Sequence, residues 1–226
     1  MSLSGAWEEN AARWIRWARS QDHDGFWEGT WPELRRVLPE HCDGPLVEVG
    51  CGEGRVGREL MGLGHRVVGV DRSPTLVRAA GHGGLYPVVQ ADAARLPLPD
   101  AVIPVVVACM SLQDVDDLGG TVREIARVLR TGGWLCVAMV HPFASAEDPD
   151  SMHTYAPRVS RSYLETRRYE DHMERDGLEM TFVSMHRPLG EYVNACAGEG
   201  LLMTALHEFG AKPIPWLLTA RFEKVG

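Results

Sequence analysis

Three glycines at alternate positions, Gly50, Gly52 and Gly54, follow a carboxylate, Glu48, that stands two residues before the first of them. Glycine has no Cβ, so a run this dense lets the backbone turn sharply and come close to a ligand. Gly52, Gly54 and Gly57 also fit the GxGxxG spacing of dinucleotide sites, a pattern too common to name the ligand. Glu48 discriminates: a carboxylate there would repel a pyrophosphate and suit a ligand carrying an ammonium and a sulfonium. A second acid, Asp71, lies about 20 residues beyond the loop, where a carboxylate at the tip of a neighbouring strand can accept both hydroxyls of a ribose. Capping of the next helix, ahead of Ser73-Pro74, would suit the same position. A third acid, Asp92, follows another apolar run, and a dinucleotide site has no need of one there. His141 is the remaining candidate, because imidazole titrates near neutrality and can take a proton from a hydroxyl or an amine. His172, His186 and the tyrosines are its rivals.

These residues need strand ends to hold them. Leu46-Val47-Glu48-Val49, rich in β-branched residues and bounded by Pro45 and Gly50, reads as a buried strand. Arg55 to Leu63 reads as the helix after the loop, with Val56, Leu60 and Leu63 on one face. Further strands follow at 66–71, 86–90 and 102–110, the last apolar throughout and therefore covered on both faces. Ser73 is placed to cap a helix reaching Ala80. Met110-Ser111-Leu112-Gln113 leaves the fourth strand at its carboxyl edge, where open α/β sheets bind ligands. A helix from Leu118 to Leu129, stopped by Gly132-Gly133, leads to a fifth strand, Trp134 to Val140, and His141-Pro142 leaves that strand at the same edge.

The pattern Glu48-x-Gly50-x-Gly52-x-Gly54 resembles the first motif of class I S-adenosylmethionine-dependent methyltransferases. Gln90-Ala91-Asp92-Ala93 with Leu96-Pro97-Leu98 resembles their adenine-binding segment, and LRTGGWLCVAMVHPF their turn into the fifth strand. The resemblance implies an α/β fold, a Rossmann-like seven-stranded sheet with six parallel strands and the seventh antiparallel between the fifth and sixth. N-terminal helices and a hairpin-like cap inserted after the fifth strand would complete it. It implies S-adenosyl-L-methionine as cofactor, with S-adenosyl-L-homocysteine as product. Glu48, Gly50, Cys51, Gly52 and Gly54 would hold one end of it. Asp71 and Arg72 would face the ribose, Asp92 and Ala93 the adenine, with Met110, Ser111 and Gln113 at the exit of the fourth strand. The whole chain, 1–226, then forms one domain: a helical lid (1–44), a cofactor core (45–140), a substrate cap (141–188), and a closing helix with two strands (189–226).

The outer elements are where an acceptor would bind. Trp7, Ala11, Trp14 and Ala18 recur at helical spacing, and five of the seven tryptophans lie at or before Trp31. That aromatic face serves either core packing or a lid over the cofactor. As a lid it would bring Trp17, His23, Phe26 or Trp27 near the ligand. Thr166 to Glu174 and Leu178 to Met185 pair as a hairpin about Asp176-Gly177, a strong turn signal. Tyr163, Tyr169, Met173, Met180, Phe182 and Met185 are its candidate pocket residues, Tyr163 and Met185 foremost, with hairpin packing as the plainer use of each.

Bulk properties narrow the partners. The chain has 226 residues, 45% of them hydrophobic, and a net charge of −8 without a basic run. Nucleic acid is therefore a poor substrate, and a small organic molecule methylated on O or N is the better one. The cysteine count is odd, at five, without metal-ligand spacing, which suits a reduced, cytoplasmic protein and no bound metal. Neither a signal region nor a membrane-length apolar run is present. A monomer or a homodimer is expected. The alternatives are an NAD-binding oxidoreductase, set back by Glu48, Asp92 and the terminal strand pair; a nucleic-acid or protein methyltransferase, set back by charge and by the lack of an Asn/Asp-Pro-Pro-Tyr segment; and an inactive cofactor-binding module.

Overall fold

Helix α1 (Leu3–Arg19) starts where Ser2 turns its hydroxyl oxygen to the Gly5 N–H and satisfies one free donor of the first turn. The structure, a computed structural model, describes residues 1–20, 24–148, 150–151, 154, 156–211 and 213–226. A single π-helical turn, Phe26–Thr30, runs straight into α2 (Trp31–Arg35), with Pro32 in its first turn. The core then alternates β1 (Leu46–Val49), α3 (Arg55–Gly62), β2 (Val67–Asp71), α4 (Pro74–Gly81), β3 (Val88–Gln90) and β4 (Ile103–Cys109). A 3-10 turn at Leu112–Asp114 precedes α5 (Leu118–Val128), β5 (Leu129–Val140) and the short α6 (Pro142–Ser145). Next come β6 (Arg167–Arg175) and β7 (Leu178–His186), then α7 (Leu189–Gly198), β8 (Leu201–Phe209) and β9 (Leu217–Lys224).

The main sheet has seven strands in the order β3-β2-β1-β4-β5-β9-β8. β9 pairs antiparallel with both β5 and β8, so the other six strands run the same way, as the resemblance implied. Strand order reverses between β1 and β4, and the crevice outside their carboxyl ends is the natural ligand site of such a sheet. Both faces of the sheet are covered. Val47, Val106 and Val122 belong to one apolar cluster, with α5 and α7; Leu46, Val105, Val107 and Leu60 belong to the other, with α2 and α3. This double covering is why β4 reads as an unbroken apolar run. Glu48 shares the α3 face with Leu46, because side chains alternate along a strand.

One difference from the sequence reading has a local cause. β5 begins at Leu129, five residues before Trp134, because Leu129 already pairs with Ile103 across an irregularity that Gly132 absorbs at φ +72°. The hairpin β6–β7 forms its own two-stranded sheet. Asp176 and Gly177 turn it with φ of 51° and 75°, the doubly left-handed geometry that matches strand twist. Among the described residues no helix is long and apolar enough to cross a membrane.

Candidate active site

A cavity of about 830 Å³ lies at the carboxyl ends of β1, β2 and β4. Its inner wall is the glycine loop and the strand ends. Its outer wall is α1, the π turn and the hairpin. The loop turns back on β2, with the Gly50 and Cys51 N–H groups both donating to the Val70 carbonyl at 2.8 and 3.0 Å. Gly50 (φ +73°) has no room for a side chain: a Cβ there would sit 2.4 Å from the Ser111 Cβ. Ser111 in turn donates its hydroxyl to the Val49 carbonyl at 2.7 Å and ties the exit of β4 to that of β1. Met110, beside it, holds a left-handed φ of 52°, rare for a residue with a side chain, at the sheet edge facing the cavity.

Glu48 is 1% exposed, and its Oε2 accepts no hydrogen bond. Burial, then the neighbouring charges of Asp71 and Glu53, push its pKa well up, against Arg58 and the Gly57 N–H. Glu48 lines the cavity, and a buried carboxylate with an oxygen that lacks a donor suits a cationic ligand group nearby. Asp71 is held at the tip of β2, where Oδ2 accepts the Gly52 N–H at 2.8 Å and Oδ1 the Ser73 N–H at 2.9 Å. Burial raises its pKa and these backbone donors lower it. Each oxygen keeps a second lone pair for a ligand hydroxyl. Asp92 lies further along, paired with Arg72 at 2.9 Å and accepting the Ala94 N–H at 3.0 Å. Burial drives the Cys51 thiol so far up that it stays protonated, a small apolar piece of wall.

Of the expected cofactor residues, Glu48, Gly50, Cys51, Gly52, Asp71, Arg72, Asp92, Ala93, Met110, Ser111 and Gln113 all line this one cavity. Gly54 does not. At φ +91° it faces α4, where a Cβ would lie 2.7 Å from the Tyr86 hydroxyl, so its part is to close the turn from behind.

The outer wall differs more from the sequence reading. Phe26 lines the cavity, but Trp27 points away and is 45% exposed. Trp17 is fully buried behind the wall, edge-on to Phe182 at 6.1 Å, and it is Trp7 and Trp14 that reach the cavity. Tyr163 lies between Phe143 and His186 and accepts the Leu189 N–H at 2.9 Å, away from the cavity. Met185 packs with Leu3, Ala6 and Val183. His23 falls outside the described residues. His141 is 1% exposed and has both ring nitrogens engaged: Nδ1 accepts the Phe143 N–H at 3.0 Å, capping α6, and Nε2 faces Glu208 Oε1 at 2.8 Å. With Nδ1 accepting, Nε2 carries the proton and donates it to Glu208. Burial lowers its pKa more than Glu208 raises it. The imidazole is thus bonded on both sides and lies off the cavity wall, apart from the expected cofactor residues.

Of the aromatic and methionine residues expected on the hairpin, Tyr169, Met173 and Phe182 line the cavity, and the structure adds Asp171 and Ser184, which the sequence reading passed over. Tyr169 and Asp171 on β6 stand opposite Ser184 and Phe182 on β7. Ser184 donates its hydroxyl to Asp114 Oδ1 at 2.6 Å. Arg55, the first residue of α3, holds both oxygens of Asp24 (Nη1–Oδ1 3.1 Å, Nη2–Oδ2 2.9 Å) and lies 3.8 Å over the Phe26 ring. That contact pins the π turn down on the glycine loop. Strand alternation is the signal that could have found the hairpin set, once its phase was known.

Comparison with known proteins agrees with this geometry. Residues 47–137 match a methyltransferase domain family. The chain is 38% identical, over 107 residues, to a probable S-adenosylmethionine-dependent methyltransferase of Mycobacterium tuberculosis; the match covers 46% of this chain and 38% of that protein. It is 28% identical over 182 residues to the 27-O-demethylrifamycin SV methyltransferase of Amycolatopsis mediterranei, covering 70% of this chain and 66% of that one. The crystal structure of an S-adenosylmethionine-dependent methyltransferase from Mesorhizobium loti is similar at a TM-score of 0.68 and 25% identity, over 87% of this chain and 99% of that chain. This chain thus spans about two fifths of the length of the first of these relatives, 38%.

Proposed function

We propose that the protein, whose residues 47–137 match a methyltransferase domain family, transfers the methyl group of S-adenosylmethionine to an oxygen or nitrogen of a small organic molecule. One observation carries this reading. Glu48, Asp71 and Asp92, at successive strand ends, face a single cavity, and the innermost, Glu48, has a buried oxygen without a donor. Glu48 and the Gly50–Gly52 backbone would hold the amino-acid end of the cofactor, Asp71 the ribose, and Asp92 with Ala93 the adenine. When bound, the cofactor supplies a methyl group already activated by its sulfonium. The chain's own task is then to exclude water and fix the acceptor in line at near-attack distance, and α1 and the hairpin over the cavity supply both. Since His141 is spent on Glu208 and Phe143, positioning takes most of the weight in this reading. The small-molecule acceptor is supported by the size of the cavity, about 830 Å³, by the net charge of −8 and by the rifamycin named for one relative. A cytoplasmic setting is part of the reading, supported by five free cysteines, four of them buried.

Calorimetry tests it. S-adenosylmethionine and S-adenosylhomocysteine are expected to bind, and NAD, whose pyrophosphate would meet Glu48, is not. Binding of NAD alone would overturn the assignment. Release of S-adenosylhomocysteine over a panel of amines, phenols and acids separates an enzyme from an idle binding module.

A pH dependence follows from Glu48. Its pKa is raised from the usual 4.5, so the stability it contributes is fully present below 4.5 and is lost as pH rises through the raised value. A cation bound beside the ionised carboxylate reverses that loss. Affinity for S-adenosylhomocysteine, which carries the ammonium, is therefore expected to climb as pH rises from 4.5 through the raised value, and Glu48→Gln to remove most of the slope. Calorimetry across that range is the measurement, and an equal slope in the variant would clear Glu48 of the role.

A further inference from the structure

Resting on the methyl-transfer reading of the same cavity, we propose that the acceptor is an amine with an apolar, aromatic or alkyl body, received by Gln113 and Asp114 of the 3-10 turn opposite the hairpin. Gln113 is 4% exposed, lines the cavity, and its Oε1 has no hydrogen-bond partner. A buried acceptor atom of this kind calls for a donor from the ligand. Asp114, the next residue, also lines the cavity, its Oδ1 held by the Ser184 hydroxyl at 2.6 Å, with Tyr169 across the hairpin from Ser184. Trp7, Trp14 and Phe182 supply apolar wall on the same side.

The charges exclude the other acceptor classes. Among the described residues, Arg55 and Arg72 are the cations on the cavity wall, and each is already bound to a carboxylate, Asp24 and Asp92. Arg187 lies behind the turn, donating to the carbonyls of Leu112 and Val115. A carboxylate or phosphate acceptor would thus meet Asp114 and Asp171 with no positive group left to receive it. A hydroxyl would satisfy Gln113 and gain nothing from the field. An ammonium gains from both, and from the aromatic faces.

The chemistry also balances. Burial raises the pKa of Asp114, against the Ser184 bond and Arg187, and burial of an ammonium lowers its own. Both shifts favour the neutral pair. An N–H bond breaks, an O–H bond forms on Asp114, and the electron pair stays on nitrogen. That pair then forms the N–C bond to the methyl carbon while the C–S pair leaves on sulfur, giving a methylated ammonium and S-adenosylhomocysteine.

The test is calorimetry on protein loaded with S-adenosylhomocysteine. Benzylamine, 2-phenylethylamine and 4-phenylbutylamine are compared with the alcohols and carboxylates of matching length. The best amine is expected to bind at least about tenfold tighter than its alcohol, the carboxylates not measurably. Asp114→Asn should cut the amine's advantage to under about threefold, with S-adenosylhomocysteine affinity retained as the check on folding. Gln113→Leu should weaken the amine about fivefold or more. An alcohol or carboxylate that binds as well as its amine overturns the proposal, as does an unchanged preference in both variants or binding by none of the series. Failure of S-adenosylhomocysteine to bind would instead strike the methyl-transfer reading, and the same titrations on the free protein would still decide the amine preference.

Discussion

Asp71→Ala is expected to weaken S-adenosylmethionine binding by about 10- to 150-fold, the loss of roughly 1.5–3 kcal/mol carried by a charged hydrogen-bond acceptor. Two losses combine in that figure. The ribose hydroxyls lose their acceptor, and the glycine loop loses the carboxylate that accepts the Gly52 and Ser73 N–H groups at 2.8 and 2.9 Å. Folding stability should change less than binding. The two backbone donors left without a partner destabilise the protein, while removing a carboxylate whose pKa burial has raised relieves a desolvation cost. Asp71→Asn separates the contributions, because it keeps one oxygen for one of the N–H donors. Calorimetric titration of both variants, with thermal unfolding alongside, is the measurement. Affinity within about threefold of wild type in Asp71→Ala would show that the ribose lies elsewhere.

Gly50→Ala should be the most damaging single methyl group in the chain. A side chain at φ +73° costs about 1–2 kcal/mol by itself. The new Cβ would stand 2.4 Å from the Ser111 Cβ and 3.1 Å from its Oγ, so Ser111 must move and release the Val49 carbonyl that it holds. Overpacking of this kind adds about 1–3 kcal/mol, for a total of roughly 2–5 kcal/mol. Cofactor binding should vanish with the shape of the loop. Gly62→Ala is the control: it sits in the last turn of α3 with nothing within 4 Å of its added Cβ, and should be neutral or slightly stabilising. Urea unfolding of the two variants decides it. A Gly50→Ala protein within about 1 kcal/mol of wild type would mean that the β1 and β4 exits are not locked together.

Both predictions concern parts that could be read before the fold was known, for a physical reason. A left-handed turn demands glycine, and a ligand at a strand end demands an acid at that end, so residue type and position carry the information together. The hairpin turn was legible in the same way, since Asp176-Gly177 suits two consecutive positive φ values. What stayed hidden was phase. In a strand, one face and the other differ by a single residue, and the hairpin sequence is mixed on both faces, so Tyr163 and Met185 looked as good as Tyr169 and Phe182, which do line the cavity. The same holds for α1, where Trp7 and Trp14, one heptad apart, reach the cavity and Trp17 turns into the core. The place of His141 off the cavity was hidden for a different reason: its partner, Glu208, comes from β8, 67 residues away, and nothing local announces it. The π turn at Phe26–Thr30 was also unreadable, because its geometry rests on Arg55 across the cavity.

The hairpin β6–β7 shares no strand with the main sheet, and α1 precedes the first strand of the core. The two touch each other directly: the Trp7 Nε1–H donates to the Val183 carbonyl at 3.1 Å, and Trp14 meets Phe182 edge-on at 6.1 Å. If the proposed division of the cavity holds, a change of acceptor would act on this pair while the strand ends assigned to the cofactor stay as they are, and it would have to alter both halves together. A graft that imports a relative's hairpin without its helix would bring foreign side chains against Trp7 and Trp14. The two segments, 176 residues apart in the chain where Trp7 meets Val183, would have to be moved together, as one cassette.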